Sequence, residues 1–189
     1  MVDSPFHLTA FRTEHGDTVA SWVTSRDELF LVAPLTSPPL TGKKVRAWTR
    51  GAHRGYVYLN GDGEPVAYGE LNPMPNVTGG LWVGHILVAP RVRSRNVGRR
   101  FLRALLAEAF ERHRAESVAL VVFPCNEAAI RCYRSVGFVD EGAQYRRFSG
   151  SWRRHELRYM RITRGGYRHS SRSRRPHVSV TADEPTYAR

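Results

Sequence analysis

With 189 residues and 41% apolar side chains, the chain carries material for one sizeable core, and two full domains would be cramped. No window approaches the roughly 18 apolar residues that a membrane span needs, and the start, MVDSPFHLTAF, lacks the basic and apolar regions of a secretion signal, so a cytoplasmic protein with no membrane partner is expected. The formal charge of +12 is segregated, since seven arginines against Asp183 and Glu184 place about +5 of it in residues 161–189, and the bias of 27 Arg to 2 Lys can equally reflect coding composition, so charge alone does not mark a nucleic-acid binder.

In chain order, residues 7–14 read as a strand and GDTVASWVTS (16–25) as a helix with Val19, Trp22 and Val23 on one side. SPPL (37–40) interrupts, because paired prolines resist both helix and central strand. A second short helix is expected from Thr41, a good N-cap, through Val45 and Trp48. YVYLNGDGEPVAYGEL then gives two strand-like runs across Asn60-Gly61-Asp62-Gly63, a strong hairpin signal. An apolar strand follows at 81–89, then an arginine-rich turn, then an amphipathic helix in which Val97, Phe101, Leu105 and Ala109 repeat at four with Leu102, Leu106 and Phe110 beside them. SVALVVF (117–123) reads as a buried strand. It leads into a helix opened by Asn126 and closed by Gly137, with Phe138 placed for the apolar contact of a glycine cap.

Two more strands are expected around GAQYRRF and HELRYMRI, which makes the fold class α/β: a mixed, mostly antiparallel sheet flanked by helices on both faces. From Thr163 onward the chain has no apolar periodicity and is rich in Gly, Ser, Arg and Pro, so a folded domain over 1–164 and a basic, disordered tail over 165–189 are expected. Cys125 and Cys132, if both on one helix, would stand roughly 10 Å apart, too far for a disulfide.

The turn at 93–98 offers a row of backbone N–H groups at a helix start, with Gly98 allowing close approach and Arg91, Arg93, Arg95, Arg99 and Arg100 supplying positive field. A diphosphate would be held there by amides, helix dipole and arginine. Read by itself, the turn is equally a solvated arginine-rich loop that binds nothing.

Taken with the later segment, ILVAPRVRSRNVGRRFL followed some thirty residues on by NEAAIRCYRSVGF resembles the acetyl-CoA-binding pair of the GNAT superfamily of N-acetyltransferases, over roughly residues 65 to 162. The matching positions are Val88, Pro90, Arg93, Gly98, Asn126, Ala129, Tyr133, Gly137 and Phe138; the middle glycine of the turn is replaced by Asn96, the side chain most tolerant of left-handed backbone. The resemblance implies that the backbone at Leu87 and Val88 pairs with pantetheine. It further implies that Arg93, Ser94, Arg95, Asn96, Val97, Gly98 and Arg99 cradle the pyrophosphate, that Asn126 sits beside the cofactor, and that Tyr133 protonates the departing thiolate. A phenol of pKa near 10 is chemically suited to that step.

Both familiar positions for a general base are empty: the strand before the turn has Trp82 and Gly84 where some relatives place Glu or His, and Val121 stands where others carry Glu. Glu70, at the end of VAYGEL, is a candidate base or a solvated carboxylate, and a water chain is the other option. His85 should point away from the side shared by Trp82 and Gly84 unless a bulge resets it.

The expected activity is therefore acetyl-CoA-dependent transfer of an acetyl group to a primary amine by direct attack in a ternary complex, with no metal. The acceptor is not legible, because one superfamily fold serves small amines and protein amines alike. The alternative is a non-catalytic acetyl-CoA-binding or nucleic-acid-associated protein. A nucleic-acid partner, engaged through Arg168, Arg172, Arg174 and Arg175 of the tail, is the less favoured option.

Overall fold

The computed structural model describes residues 6–148 and 152–172. Its sheet has seven strands in the order β1-β2-β3-β4-β5-β7-β6: β1 (His7–Ala10), β2 (Arg54–Leu59), β3 (Pro65–Pro73), β4 (Gly80–Val88), β5 (Ser117–Val122), β6 (Val139–Arg147) and β7 (Arg154–Thr163). Only β4 and β5 run parallel; every other neighbouring pair is antiparallel. The expected mixed, mostly antiparallel sheet is thus present.

On one face lie α1 (His15–Ala20), α2 (Arg26–Val32) and α3 (Gly42–Trp48); on the other lie α4 (Val97–Ala107), α5 (Glu127–Ser135) and α6 (Arg164–Arg172). The larger core forms under α4, whose stripe of Val97, Phe101, Leu102, Leu105 and Leu106 is buried against Ala67, Leu71, Leu120 and Met160. Full burial of such side chains contributes roughly 1.5–3 kcal/mol each. On the opposite face Val19, Trp22 and Val45 close over Val57, Tyr68 and Leu87.

Three departures from the sequence reading bear on the site. The first strand stops at Ala10. The helix expected over 16–25 ends at Ala20, and a helix that was not expected, α2, begins at Arg26, where Ser25 adopts extended backbone (φ −130°, ψ 158°) and its Oγ accepts the Glu28 N–H. The Glu28 carboxylate in turn accepts from the Thr24 N–H, a reciprocal arrangement close to a capping box, and Ser25 three residues before Glu28 was the signal for it. The third departure is the tail. Residues 165–172, expected to be disordered, belong to α6, with the Tyr167 ring stacked on Phe110 at 4.8 Å and its hydroxyl donating to Glu111. The remainder of the expected tail, from residue 173, lies outside the described residues. Among the described residues no helix is long and apolar enough to cross a membrane. Both cysteines are free, Cys125 exposed and Cys132 half-buried.

Candidate functional site

Two departures from regular sheet geometry open the site. Strands β4 and β5 pair only from Gly80 to Trp82 against Ser117 to Ala119, and then diverge. Over the same stretch β3 and β4 slip: Tyr68 stands opposite Leu87 but Glu70 opposite Gly84, so three steps of β4 face two of β3, and His85 takes φ +44°. This is a β-bulge, which re-aims a side chain and bends the strand away from its neighbour. Between the splayed strands lies a cavity of about 740 Å³, with Val83 and Ile86–Val88 on one wall and Leu120–Val122 on the other. Beyond Trp82 the β4 edge facing β5 has no strand partner, so it can pair with an extended amide chain.

One end of the cavity is the arginine-rich turn. Ser94 and Asn96 both adopt left-handed backbone, φ +62° and +60°. Asn96 therefore supplies the left-handed backbone that a glycine would, and its Oδ1 is drawn aside to accept from Arg99 Nη2 at 2.7 Å. No side chain caps α4, so its first-turn amides, Val97 to Arg99, lack intrahelical acceptors. A Cβ on Gly98 would make only ordinary contacts, with Val88 Cγ2 at 3.4 Å and Cys132 Sγ at 3.8 Å.

The arginines are not one undivided field. Arg91 pairs with Glu64, and Arg100 lies over the Phe6 ring. Arg93 binds the Val88 carbonyl, the Trp22 carbonyl and Glu28 Oε1, the last at 2.6 Å, which ties α2 to the cavity mouth.

Helix α5 supplies the opposite wall. Asn126 Oδ1 accepts the Ala129 N–H, as an N-cap should. At the other end Gly137 (φ +107°) allows the Phe138 N–H to reach the Tyr133 carbonyl and its own N–H to reach that of Arg134, the paired bonds of a Schellman cap. The accompanying apolar contact is between the Tyr133 and Phe138 rings, 5.9 Å apart. The cap that ends the helix therefore also fixes Tyr133, which lines the cavity. Burial pushes the Tyr133 phenol well above its ordinary range, so it is a proton donor throughout neutral pH. Burial likewise raises the thiol of Cys132 and leaves it a poor nucleophile.

Glu70 is fully buried in the middle of β3 and not at its end, which removes the solvated strand-end carboxylate from the two readings open for it. Its Oε1 accepts the Tyr68 hydroxyl and lies 2.8 Å from His85 Nδ1, and its Oε2 accepts from Asn72 Nδ2 at 3.0 Å. Burial, with Glu70 second, drives the Tyr68 phenol strongly upward, so Tyr68 donates to the carboxylate and never competes for its charge. The bulge also turns His85 onto the Glu70 side, where its ring stacks on Trp48 at 4.1 Å and lines the cavity. With Nδ1–H donating to the carboxylate, Nε2 remains an acceptor.

Of the twelve residues singled out from sequence, Leu87, Val88, Arg93, Ser94, Asn96, Gly98, Arg99, Asn126 and Tyr133 line this one cavity, whereas Arg95, Val97 and Glu70 do not. Arg95 is exposed and Val97 belongs to the core. His85 and Glu28 line it too, although neither was among those twelve. An isolated glycine within the VGH run of β4 was the available hint of a bulge. Among the described residues no group of three or more His, Cys, Asp or Glu side chains is placed to hold a metal ion.

Residues 17–138 match the model of the acetyltransferase (GNAT) family. Among solved structures, the spermidine N-acetyltransferase of Vibrio cholerae in complex with CoA and spermine aligns at a TM-score of 0.72 and 18% identity, over 87% of this chain and 99% of that one. The spermidine/spermine N-acetyltransferase SpeG of Vibrio cholerae with manganese ions aligns at 0.68 and 18%, over 89% and 98%. A chimera of the Vibrio cholerae enzyme and hSSAT aligns at 0.70 and 19%, over 87% and 98%. At such identities the likeness is one of fold.

Proposed function

Since the chain belongs to the acetyltransferase (GNAT) family, we propose that it is an acetyl-CoA-dependent N-acetyltransferase acting on a primary amine by direct transfer in a ternary complex. The family uses acetyl-CoA, which supplies an activated acetyl thioester. The observation that carries the reading is the convergence on one cavity of an unpaired β4 edge, a helix start with free amides, a protonated phenol and an imidazole with an open nitrogen.

The residues fit the donor. The β4 edge at Leu87 and Val88 pairs with the amides of the pantetheine arm, and the 93–99 turn takes the pyrophosphate on its backbone N–H groups, with Arg99 supplying charge. Asn126 stands beside the same channel. Arg93 acts by holding α2 against β4 through Glu28 rather than as a free phosphate ligand.

His85 Nε2 takes the proton of the attacking amine, and Glu70 positions the ring and steadies its charge from behind. Backbone N–H groups of β4 polarise the acetyl carbonyl. Tyr133 gives its proton to the departing thiolate. Burial outweighs the Arg99 and Arg103 charges that favour a Cys132 thiolate and keeps the thiol raised, which disfavours a covalent acetyl-enzyme. A base at the cavity weighs against the non-catalytic alternative, one of whose grounds, beside Asn96 and the basic tail, was the lack of one.

The Vibrio cholerae neighbour, solved with CoA and spermine, supports an amine acceptor as a class. The test is release of free thiol from acetyl-CoA with a panel of amines, repeated with His85→Ala. Turnover that falls at least about 100-fold in the variant, the usual worth of a general base, and recovers on adding imidazole supports the assignment. No thiol release by the parent with any amine overturns it.

A further inference from the structure

The nearest surface beyond His85 on the same sheet face is not built for a polycation. Trp82 lies opposite Asn72 on β3 and opposite Ala119 on β5, and its ring meets that of Tyr159 at 6.3 Å. Tyr159 is in turn opposite Val121, a wall of the cavity. Over Trp82 lies the exposed guanidinium of Arg146, 5.4 Å from the ring centroid, held only by a 3.4 Å contact to Gln144 Oε1 and, among the described residues, in no ion pair.

Four carboxylates of the surrounding elements are already committed. Glu28 is taken by Arg93 at 2.6 Å, Glu141 by Arg161 at 2.7 Å, Asp140 by Arg134 and Arg158, and Glu70 is buried under three donors. A distal ammonium group beside Trp82 would therefore meet an uncompensated arginine. From His85 to Trp82 is three residues of bulged strand, roughly 7–10 Å.

Resting on the acetyltransfer reading above, we propose that the acceptor is an amine whose chain carries an anionic group at that distance, received by Arg146 over the Trp82–Tyr159 surface, and not a polyamine. The aromatic pair accommodates the apolar part of the chain, and Arg146, pre-placed over Trp82, receives the acid. This departs from the acceptor of the structural neighbours, in keeping with a site that shares only its fold with theirs.

Two matched pairs of acceptors isolate the distal charge: 6-aminohexanoate against 1,6-diaminohexane, and the C-terminally amidated tripeptides Ser-Phe-Glu and Ser-Phe-Lys. In each pair the acid should have a kcat/KM about three- to tenfold higher, the range for an exposed but pre-oriented ion pair. Arg146→Glu should invert the preference, leaving the acetyl-CoA KM unchanged. A preference confined to the first pair identifies a small amino acid as the source of the anionic group; one confined to the second identifies a peptide. A parent enzyme that prefers the diamine or spermidine, or an Arg146→Glu variant with the parent's preference, overturns the acceptor assignment while leaving acetyltransfer intact. Absence of thiol release with all of these amines overturns both.

Discussion

Replacing Glu70 by glutamine separates the charge of that carboxylate from its place in the core. The Oε1 atom accepts from Tyr68 and His85, Oε2 accepts from Asn72 Nδ2, and Asn72 Oδ1 is a buried polar atom with no partner among the described residues. A glutamine with its oxygen in the Oε1 position keeps the first two bonds. Its amide nitrogen then faces Asn72, which can turn its own amide over and offer Oδ1, leaving its nitrogen unpaired instead. The number of unsatisfied buried atoms stays the same, so stability should fall by no more than about 1–2 kcal/mol, or a few degrees in Tm.

What changes is the bond to His85. Charge-assisted hydrogen bonds contribute about 1.5–3 kcal/mol and neutral ones about 0.5–1.5, so roughly 1–1.5 kcal/mol of support for the protonated ring is lost. That corresponds to a fall of about 5- to 15-fold in kcat. Glu70→Leu is the contrasting variant: it strands three donors at about 1–3 kcal/mol each, which approaches the whole stability of a typical domain. Thiol release at saturating amine, with thermal melts of the same preparations, reads both quantities. If Glu70→Gln keeps the parent's kcat within twofold while chemistry limits the rate, the carboxylate does not act on His85. If it melts more than about 10 °C lower, its role is structural.

Tyr133→Phe should lower kcat by about 10²–10⁴ with Tm unchanged, because no partner among the described residues holds the hydroxyl and the ring contact with Phe138 survives; a parent-like kcat with chemistry limiting would remove it as the acid. Gly98→Ala should bind acetyl-CoA nearly as the parent does, since its Cβ meets only Val88 at 3.4 Å and Cys132 at 3.8 Å, while Gly98→Val should weaken binding more than tenfold by calorimetry; a change under threefold places the pyrophosphate elsewhere. A chain ending at Arg164 loses the Tyr167–Phe110 stack and should melt about 2–4 °C below one ending at Arg172; equal melting temperatures would make α6 dispensable.

His113, whose pKa is lowered by burial and then by Arg54, is neutral in the fold and accepts from Arg54 while its other nitrogen meets Tyr56, with Glu108 and Arg112 beside it. Its folded pKa lies below the unfolded 6.5, so its contribution is complete above pH 6.5 and is lost as pH falls through the window below it; Tm should drop from pH 7 to 5.5, and His113→Gln should flatten that slope. Identical slopes for the two proteins would refute the assignment.

The segments legible from sequence are those whose determinants lie within a few residues of one another. Thr41 and Asn126 cap helices because their side chains reach amides three residues on. Gly137 and Phe138 end α5 through bonds to Tyr133 and Arg134, and the same local cap orients the proposed acid. Asn96 takes its left-handed turn because its own side chain tolerates one. The capping box at Ser25 and Glu28 was equally local, and a closer reading of that spacing would have found α2.

The proposed base and the proposed acceptor surface were of another kind. His85 faces the cavity only because β4 slips against β3 at a bulge, and Glu70 is buried only because Tyr68, Asn72 and His85 close around it. Alternation along a strand predicts sides only while the register holds, and register is set by partners distant in sequence. The pairing of Arg93 with Glu28, across 65 positions, likewise turned an expected phosphate ligand into a brace. Sequence therefore determined the capped helices α3 and α5 and the left-handed turn before α4, where interactions are short-range, while the splay of β4 from β5, the position of the proposed base and the charge around the proposed acceptor surface depended on tertiary contacts that no local pattern encodes.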